Sequence, residues 1–283
     1  MVTRSDYPQD TVEICLSVLV EFMTIVGAYK EDVVLIGGWV PYFLFEEYRQ
    51  EHTGSLDIDV ALDFKHIDPE GYKSILQLLK ERGYTEGDQP FIYHRTVKTA
   101  GGREVIVDLN FLAGEYGGTG KSKRTQKVQD VRARKARGCD VAFDHTMSIN
   151  LRRTMPDKAV NEVNIKVAGV IPFLVMKGMA LWDRYKEKDA YDIYFTIQHY
   201  PDGVEALAQV FKPYMSNDLI VEGLAKIKNK FQTLDSPGPV WVVNFLEIDD
   251  LEEKERIQRD VFERVNAFLD RLGIQPHQDS ARQ

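Results

Sequence analysis

The strongest constraint in this chain is a change of hydrophobic period near residue 170. Ahead of it, apolar runs recur at strand length: Val33–Ile36, Ile58–Leu62, Phe91–Thr99, Arg103–Phe111, Met147–Arg153 and Val163–Ala168. Short β-branched runs of this kind suit strands that bury one or both faces. From Ile171 the apolar residues fall at helical spacing, over Phe173–Lys186, Lys188–Gln198, Val204–Phe211, Asn217–Phe231 and Asp250–Leu272, with Gly273 as a stop. The pattern predicts an α+β chain, a mixed sheet over residues 1–168 followed by a helical domain over 169–283. At 283 residues the chain is long enough for each part to bury a core.

Punctuation refines the reading. Asp10 and Glu13 make a capping box ahead of Ile14, Val18, Phe22 and Ile25, which predicts a first helix. Gly37-Gly38 ends the first strand in a tight turn, and Pro41 opens a helix through about Arg49. Asp68-Pro69 opens another that ends near Gly83. Ala100-Gly101-Gly102 joins the two central strands as a hairpin. A Gly-rich, basic stretch runs from Gly114 to Gly138.

Composition excludes several classes. No apolar run approaches the ~20 residues that cross a bilayer, and the polar N-terminus leads into no signal-like apolar segment, so a cytoplasmic chain is expected. Cys15 and Cys139 read as reduced thiols. A net charge of −8 argues against a nucleic-acid coat protein. Residues 121–137 nonetheless carry eight Lys or Arg against Asp130 alone, either a solvated face or an edge for RNA phosphates. The histidines lack zinc-ligand spacing, no nucleophile elbow occurs, and Glu115 breaks the P-loop spacing before Lys121.

The chemistry concentrates on carboxylates. Asp57 and Asp59 lie two apart at the head of a strand, so both project from one face. Alone, an Asp-x-Asp pair more often marks a solvated strand. Forced together, however, two carboxylates repel, and Mg²⁺ accepts one or two of them while leaving positions for phosphate oxygens. Three neighbours favour the metal reading. Gly37 and Gly38 form a turn whose backbone can approach an anion closely, and Ser55 stands two residues before Asp57. Asp108 interrupts the apolar run Val105–Leu109, where a carboxylate is costly unless paired or metal-bound.

Strand, Gly-Gly, helix, Ser-x-Asp-x-Asp, hairpin and Asp, in that order, resemble the nucleotidyltransferase superfamily with its polymerase β-like core. The form Gly54-Ser55-Leu56-Asp57-Ile58-Asp59 is similar to its AbiEii-type toxin branch. So is the run from Lys177 through Ala180-Leu181, Arg184, Lys186 and Lys188-Asp189 to Asp192-Ile193. The resemblance covers about residues 33–195. It implies Mg²⁺, two ions, on Asp57, Asp59 and Asp108, and an NTP held by Gly37, Gly38, Ser55 and Lys177. Asp189 would then be an active-site residue near the nucleotide or acceptor, and the helical domain would complete the cleft. The implied acceptor is RNA or tRNA and the implied partner an antitoxin protein. Two alternatives stay open: a small-molecule nucleotidyltransferase, and a nucleotide-binding or interaction protein that has kept the fold.

Overall fold

Every apolar run ahead of residue 170 becomes a strand of one mixed sheet. The structure, a computed structural model, describes residues 2–63, 74–99, 101–114, 125–128 and 131–277. Its strands are β1 (Val33–Ile36), β2 (Asp57–Leu62), β3 (Thr85–Glu86), β4 (Ile92–Lys98), β5 (Glu104–Ala113), β6 (Thr125–Val128), β7 (Val131–Lys135), β8 (Thr146–Thr154) and β9 (Val160–Ala168). Among the described residues the order is β3-β4-β5-β2-β1-β9-β8, with β7 pairing to β5 and β6 to β7. β2 is central, parallel to β5 and antiparallel to β1. The β4–β5 and β8–β9 pairs are antiparallel hairpins.

Helix α1 (Gln9–Ile25) covers one face of this sheet. Its Phe22 ring lies 5.9 Å from that of Phe111, so the alternating Val107, Leu109 and Phe111 face α1 and are wholly buried. Burying each such side chain contributes roughly 1.5–3 kcal/mol. Two short helices, α2 (Val40–Leu44) and α3 (Ile75–Glu81), complete the described α-helices of this unit.

The helical run becomes α4 (Val170–Asp183), α5 (Glu187–Gln198), α6 (Gly203–Phe211), α7 (Asp218–Lys230), α8 (Pro237–Phe245) and α9 (Leu251–Arg271). Packing divides the chain into a sheet unit, Tyr7–Leu44 with Thr53–Gly169, and a helical unit. The helical unit takes the residues up to Asp6, Phe45–His52 and the chain from Val170 on. Within it, α4 and α7 cross backbone to backbone. A Cβ on Gly178 would overlap the Gly223 carbonyl oxygen, and one on Gly223 would lie 2.8 Å from that of Val175.

Some expectations need correction. Pro8, not Asp10, occupies the N-cap of α1, because its extended backbone (φ −66°, ψ 137°) already ends the preceding segment. Asp10 sits in the first turn, accepts from Thr11 N at 2.8 Å and pairs with Arg103. The helix after Pro41 stops at Leu44, where Phe45 leaves to pack 6.1 Å from Phe195 in the helical unit. The stretch after Gly114 contains β6 and β7. Helix α8 is not among the expected helices, and Pro237 and Pro239 stand in its first turn, where a missing N–H costs nothing. The start expected at Asp68-Pro69 lies outside the described residues.

Candidate functional site

Register places the carboxylates. β2 and β5 run parallel with Asp57 beside Asp108 and Asp59 beside Asn110. Paired residues share a face, and Val107, Leu109 and Phe111 already point to α1. Asp57, Asp59, Asp108 and Asn110 therefore line the opposite face. Asp108 remains 47% exposed at its side chain.

Each carboxylate has a neutral or weakly basic neighbour. Asn110 donates through Nδ2 to Asp59 Oδ1 at 2.9 Å. His94 on β4 stands opposite Asp108, with Nδ1 2.7 Å from Oδ1. The Ser55 hydroxyl, itself buried, donates to Asp57 Oδ1. Among the described residues neither Asp57 nor Asp108 has a Lys or Arg partner. Behind them, the Cys15 thiol donates to the Leu56 carbonyl, and burial, then the Asp57 and Asp108 charges, push it up to about 12. A thiol so far from ionising is inert.

The Gly-Gly turn reaches the same layer. Ile36 pairs with Asp59, and the chain then turns through Gly37–Trp39. Gly37 has φ +72°, and a Cβ there would overlap the Asp59 carboxylate, so both backbone and space demand glycine. Trp39 Nε1 donates to the Asp57 carbonyl at 2.8 Å and ties the turn to the head of β2. Gly38 is buried beside it.

Among the described residues no group of three or more His, Cys, Asp or Glu is arranged to hold a metal ion as the side chains stand. The donor chemistry nonetheless fits Mg²⁺. Carboxylate oxygens stand on one accessible sheet face, and among the described residues two of the three carboxylates have no Lys or Arg partner.

Lys177 and Asp189 belong to a different setting. On α4 and α5 they form a network with buried Lys188, Asp192 and His52 and with Arg184, whose side chain is half exposed. Lys177 Nζ lies 2.7 Å from both Asp189 and Asp192. Lys188 Nζ is 2.8 Å from Asp192, Arg184 Nε 2.8 Å from Asp189, and His52 Nε2 3.0 Å from Asp192. Burial opposes the Lys177 charge, but Asp189 and Asp192 more than offset it and hold its pKa above that of a free lysine. Burial also opposes ionisation of Asp192. Lys177, Lys188 and His52 overcome it and keep that carboxyl below its ordinary range. His52 is pushed down to about 4, chiefly by burial, and is neutral at pH 7.

Sequence reasoning missed His94, Asn110, His52 and Lys188. The first was within reach, since pairing Thr99 with Arg103 and counting outward sets His94 opposite Asp108. Asn110, two residues past Asp108, shares its face by strand alternation alone. Nothing in the sequence marked His52.

No protein-family model matches the chain, and no curated protein is significantly similar to it. A proposed nucleotidyltransferase from H. pylori is similar in structure at 14% identity and a TM-score of 0.45, over 91% of this chain and 97% of that one. The H. pylori protein JHP933 is similar at 17% identity and a TM-score of 0.38, over 91% and 94%. An antigenic nucleotidyltransferase-like protein from Paracoccidioides brasiliensis is similar at 17% identity and a TM-score of 0.45, over 81% and 93%. At these values the likenesses carry no activity across, and the functional reading rests on the site. Among the described residues no helix is long and apolar enough to cross a membrane.

Proposed function

We propose that the chain is a Mg²⁺-dependent nucleotidyltransferase that moves an NMP from an NTP to an acceptor hydroxyl. The observation that carries the reading is Asp57 beside Asp108 in parallel register on the accessible sheet face, with no Lys or Arg partner among the described residues. Asp59, two residues along the same face, joins them. These three would hold the metal, two ions as the AbiEii-type resemblance implies. When bound, Mg²⁺ supplies charge neutralisation on the phosphates and a template for in-line displacement.

The chain's own groups do the rest. Asp108, oriented by His94, or a water it holds, takes the proton of the acceptor hydroxyl. The hydroxyl oxygen bonds to the α-phosphorus as the bond to the pyrophosphate oxygen breaks, and pyrophosphate leaves. Asn110 fixes the Asp59 rotamer, Ser55 that of Asp57, and Gly37 leaves the space a phosphate oxygen needs. Positioning supplies much of the acceleration. Gly38, Lys177 and Asp189 keep the roles the resemblance implies: triphosphate binding for the first two, nucleotide or acceptor contact for Asp189. RNA or tRNA is the proposed acceptor, and a toxin paired with an antitoxin the proposed biology.

The test is incubation of the full chain with each α-phosphate-labelled NTP, Mg²⁺ and total RNA, beside a pool of small hydroxylated acceptors. Label should enter RNA, with a yield that falls steeply with salt. Label in the small-molecule pool alone would remove the RNA acceptor. Label in neither, with NTP binding in Mg²⁺ unaffected by Asp57→Asn, would overturn the catalytic reading.

A further inference from the structure

The helical unit carries an aromatic cluster that the charge network does not use. Trp182 is on α4, Tyr185 follows the helix end, and Trp241 is on α8. Lys230 closes α7, and the glycine crossing of α4 and α7 described above belongs to the same pair of helices. Its ammonium lies 5.5 Å from the Trp182 ring centroid, 5.2 Å from that of Tyr185 and 5.9 Å from that of Trp241. Tyr185 and Trp241 meet edge to face at 5.6 Å.

Two features separate this cluster from ordinary core packing. Tyr185 is 80% exposed, the most exposed large hydrophobic side chain among the described residues. A ring contributes stability by being buried, and this one is not. Lys230 has no carboxylate partner among the described residues, whereas Lys228, two residues earlier on the other side of α7, pairs with Asp270 at 2.6 Å. An open aromatic face beside an unneutralised ammonium matches a nucleobase joined to its phosphate. The base stacks on the ring, and the lysine takes the anionic oxygen. Arg184, between Trp182 and Tyr185 in sequence, reaches back to Asp189, so the cluster borders the charge network directly.

We infer that Tyr185, Trp241, Trp182 and Lys230 form a stacking platform for an unpaired nucleobase and its phosphate. It deepens the transferase reading by placing the acceptor on this surface, and it stands or falls separately from catalysis. The same chemistry is offered by a free mononucleotide and by a single strand. More than one base and phosphate can engage three rings and a lysine, so the strand is the ligand assigned.

The experiment measures fluorescence anisotropy of a labelled single-stranded RNA dodecamer with the full chain, with its duplex and AMP as competitors. Tyr185→Ala should weaken strand binding about tenfold, while Tyr185→Trp restores it. Lys230→Gln should weaken binding and lower its salt slope by about one. Duplex and AMP should compete poorly. Unchanged strand affinity in Tyr185→Ala and Lys230→Gln overturns the platform, as does wild-type protein that binds no strand. AMP competing as well as the strand overturns the strand assignment. Asp57→Asn separates the two claims: strand binding that survives in it, while wild type labels neither RNA nor small acceptors and NTP binding in Mg²⁺ is unaffected by the substitution, leaves the platform standing and removes the transferase reading.

Discussion

The carboxylates of the sheet and those of the helical unit make opposite use of the same side chain. Asp189 and Asp192 are buried, and lysine, arginine and histidine groups surround them at hydrogen-bond distance. Their charges are settled inside the protein. Asp57 and Asp108 stand side by side on an accessible face with a serine and a histidine for company. Two adjacent carboxylates without a lysine or arginine among the described residues call for a cation from solution. The first arrangement holds α4, α5 and the Phe45–His52 segment together, and the second is poised to bind. The difference is between carboxylates whose charge the protein itself balances and carboxylates that lack a lysine or arginine among the described residues.

Four measurements break or sharpen this contrast. The largest effect is expected at Asp192, where Asp192→Ala removes the carboxylate that Lys177, Lys188 and His52 share in a buried site. Unfolding in denaturant should show a loss of about 3–5 kcal/mol. A loss below about 1 kcal/mol would mean that the network is not what holds these elements. Next is Asp57→Asn, which should slow transfer by a factor on the order of 10²–10³. Its unfolding free energy should stay within about 0.5 kcal/mol of wild type, and destabilisation on the scale of Asp192→Ala would erase the contrast.

Third, the two sites should part company in mild acid. His52 has a folded pKa of about 4, depressed from an ordinary value of 6.5. Its contribution is therefore complete above pH 6.5 and is lost as pH falls toward 4, where the unfolded chain binds a proton that the folded chain refuses. The loss should reach about 3 kcal/mol, read as the slope that His52→Gln removes. Half-buried His199, also depressed, titrates in both proteins and cancels in the difference. The depressed Asp189 and Asp192 lose their contributions only below the ordinary Asp range, so they leave this window clear. Equal slopes in the two proteins would contradict the burial assigned to His52. The smallest effect is expected at Asn110. Asn110→Ala, which removes the amide that donates to Asp59 Oδ1, should raise the Mg²⁺ concentration needed for half-maximal transfer several-fold, and an unchanged requirement would remove its positioning role.

The sheet unit was the more legible of the two because its signals are local. Val33–Ile36 is bounded by the glycines that end it, and Gly101-Gly102 sets a hairpin whose register follows by counting. Asp57, Asp59 and Asp108 are visible as candidates because carboxylates stand out in apolar strands. The partners that orient them, Asn110 and His94, are ordinary polar residues on strands, visible only once pairing is known. In the helical unit, spacing gave five of the six helices and failed at α8, where two prolines and a glycine fill the first turn. His52 and Asp192 lie 140 residues apart, and no periodicity reports a contact of that span.

Titration calorimetry of each NTP into the full chain, with and without Mg²⁺, tests most directly whether the sheet carboxylates are the binding site. The expected result is saturable binding of at least one NTP that requires Mg²⁺ and is lost in both Asp57→Asn and Asp108→Asn. Binding of equal affinity in those variants, or in the absence of Mg²⁺, would contradict it.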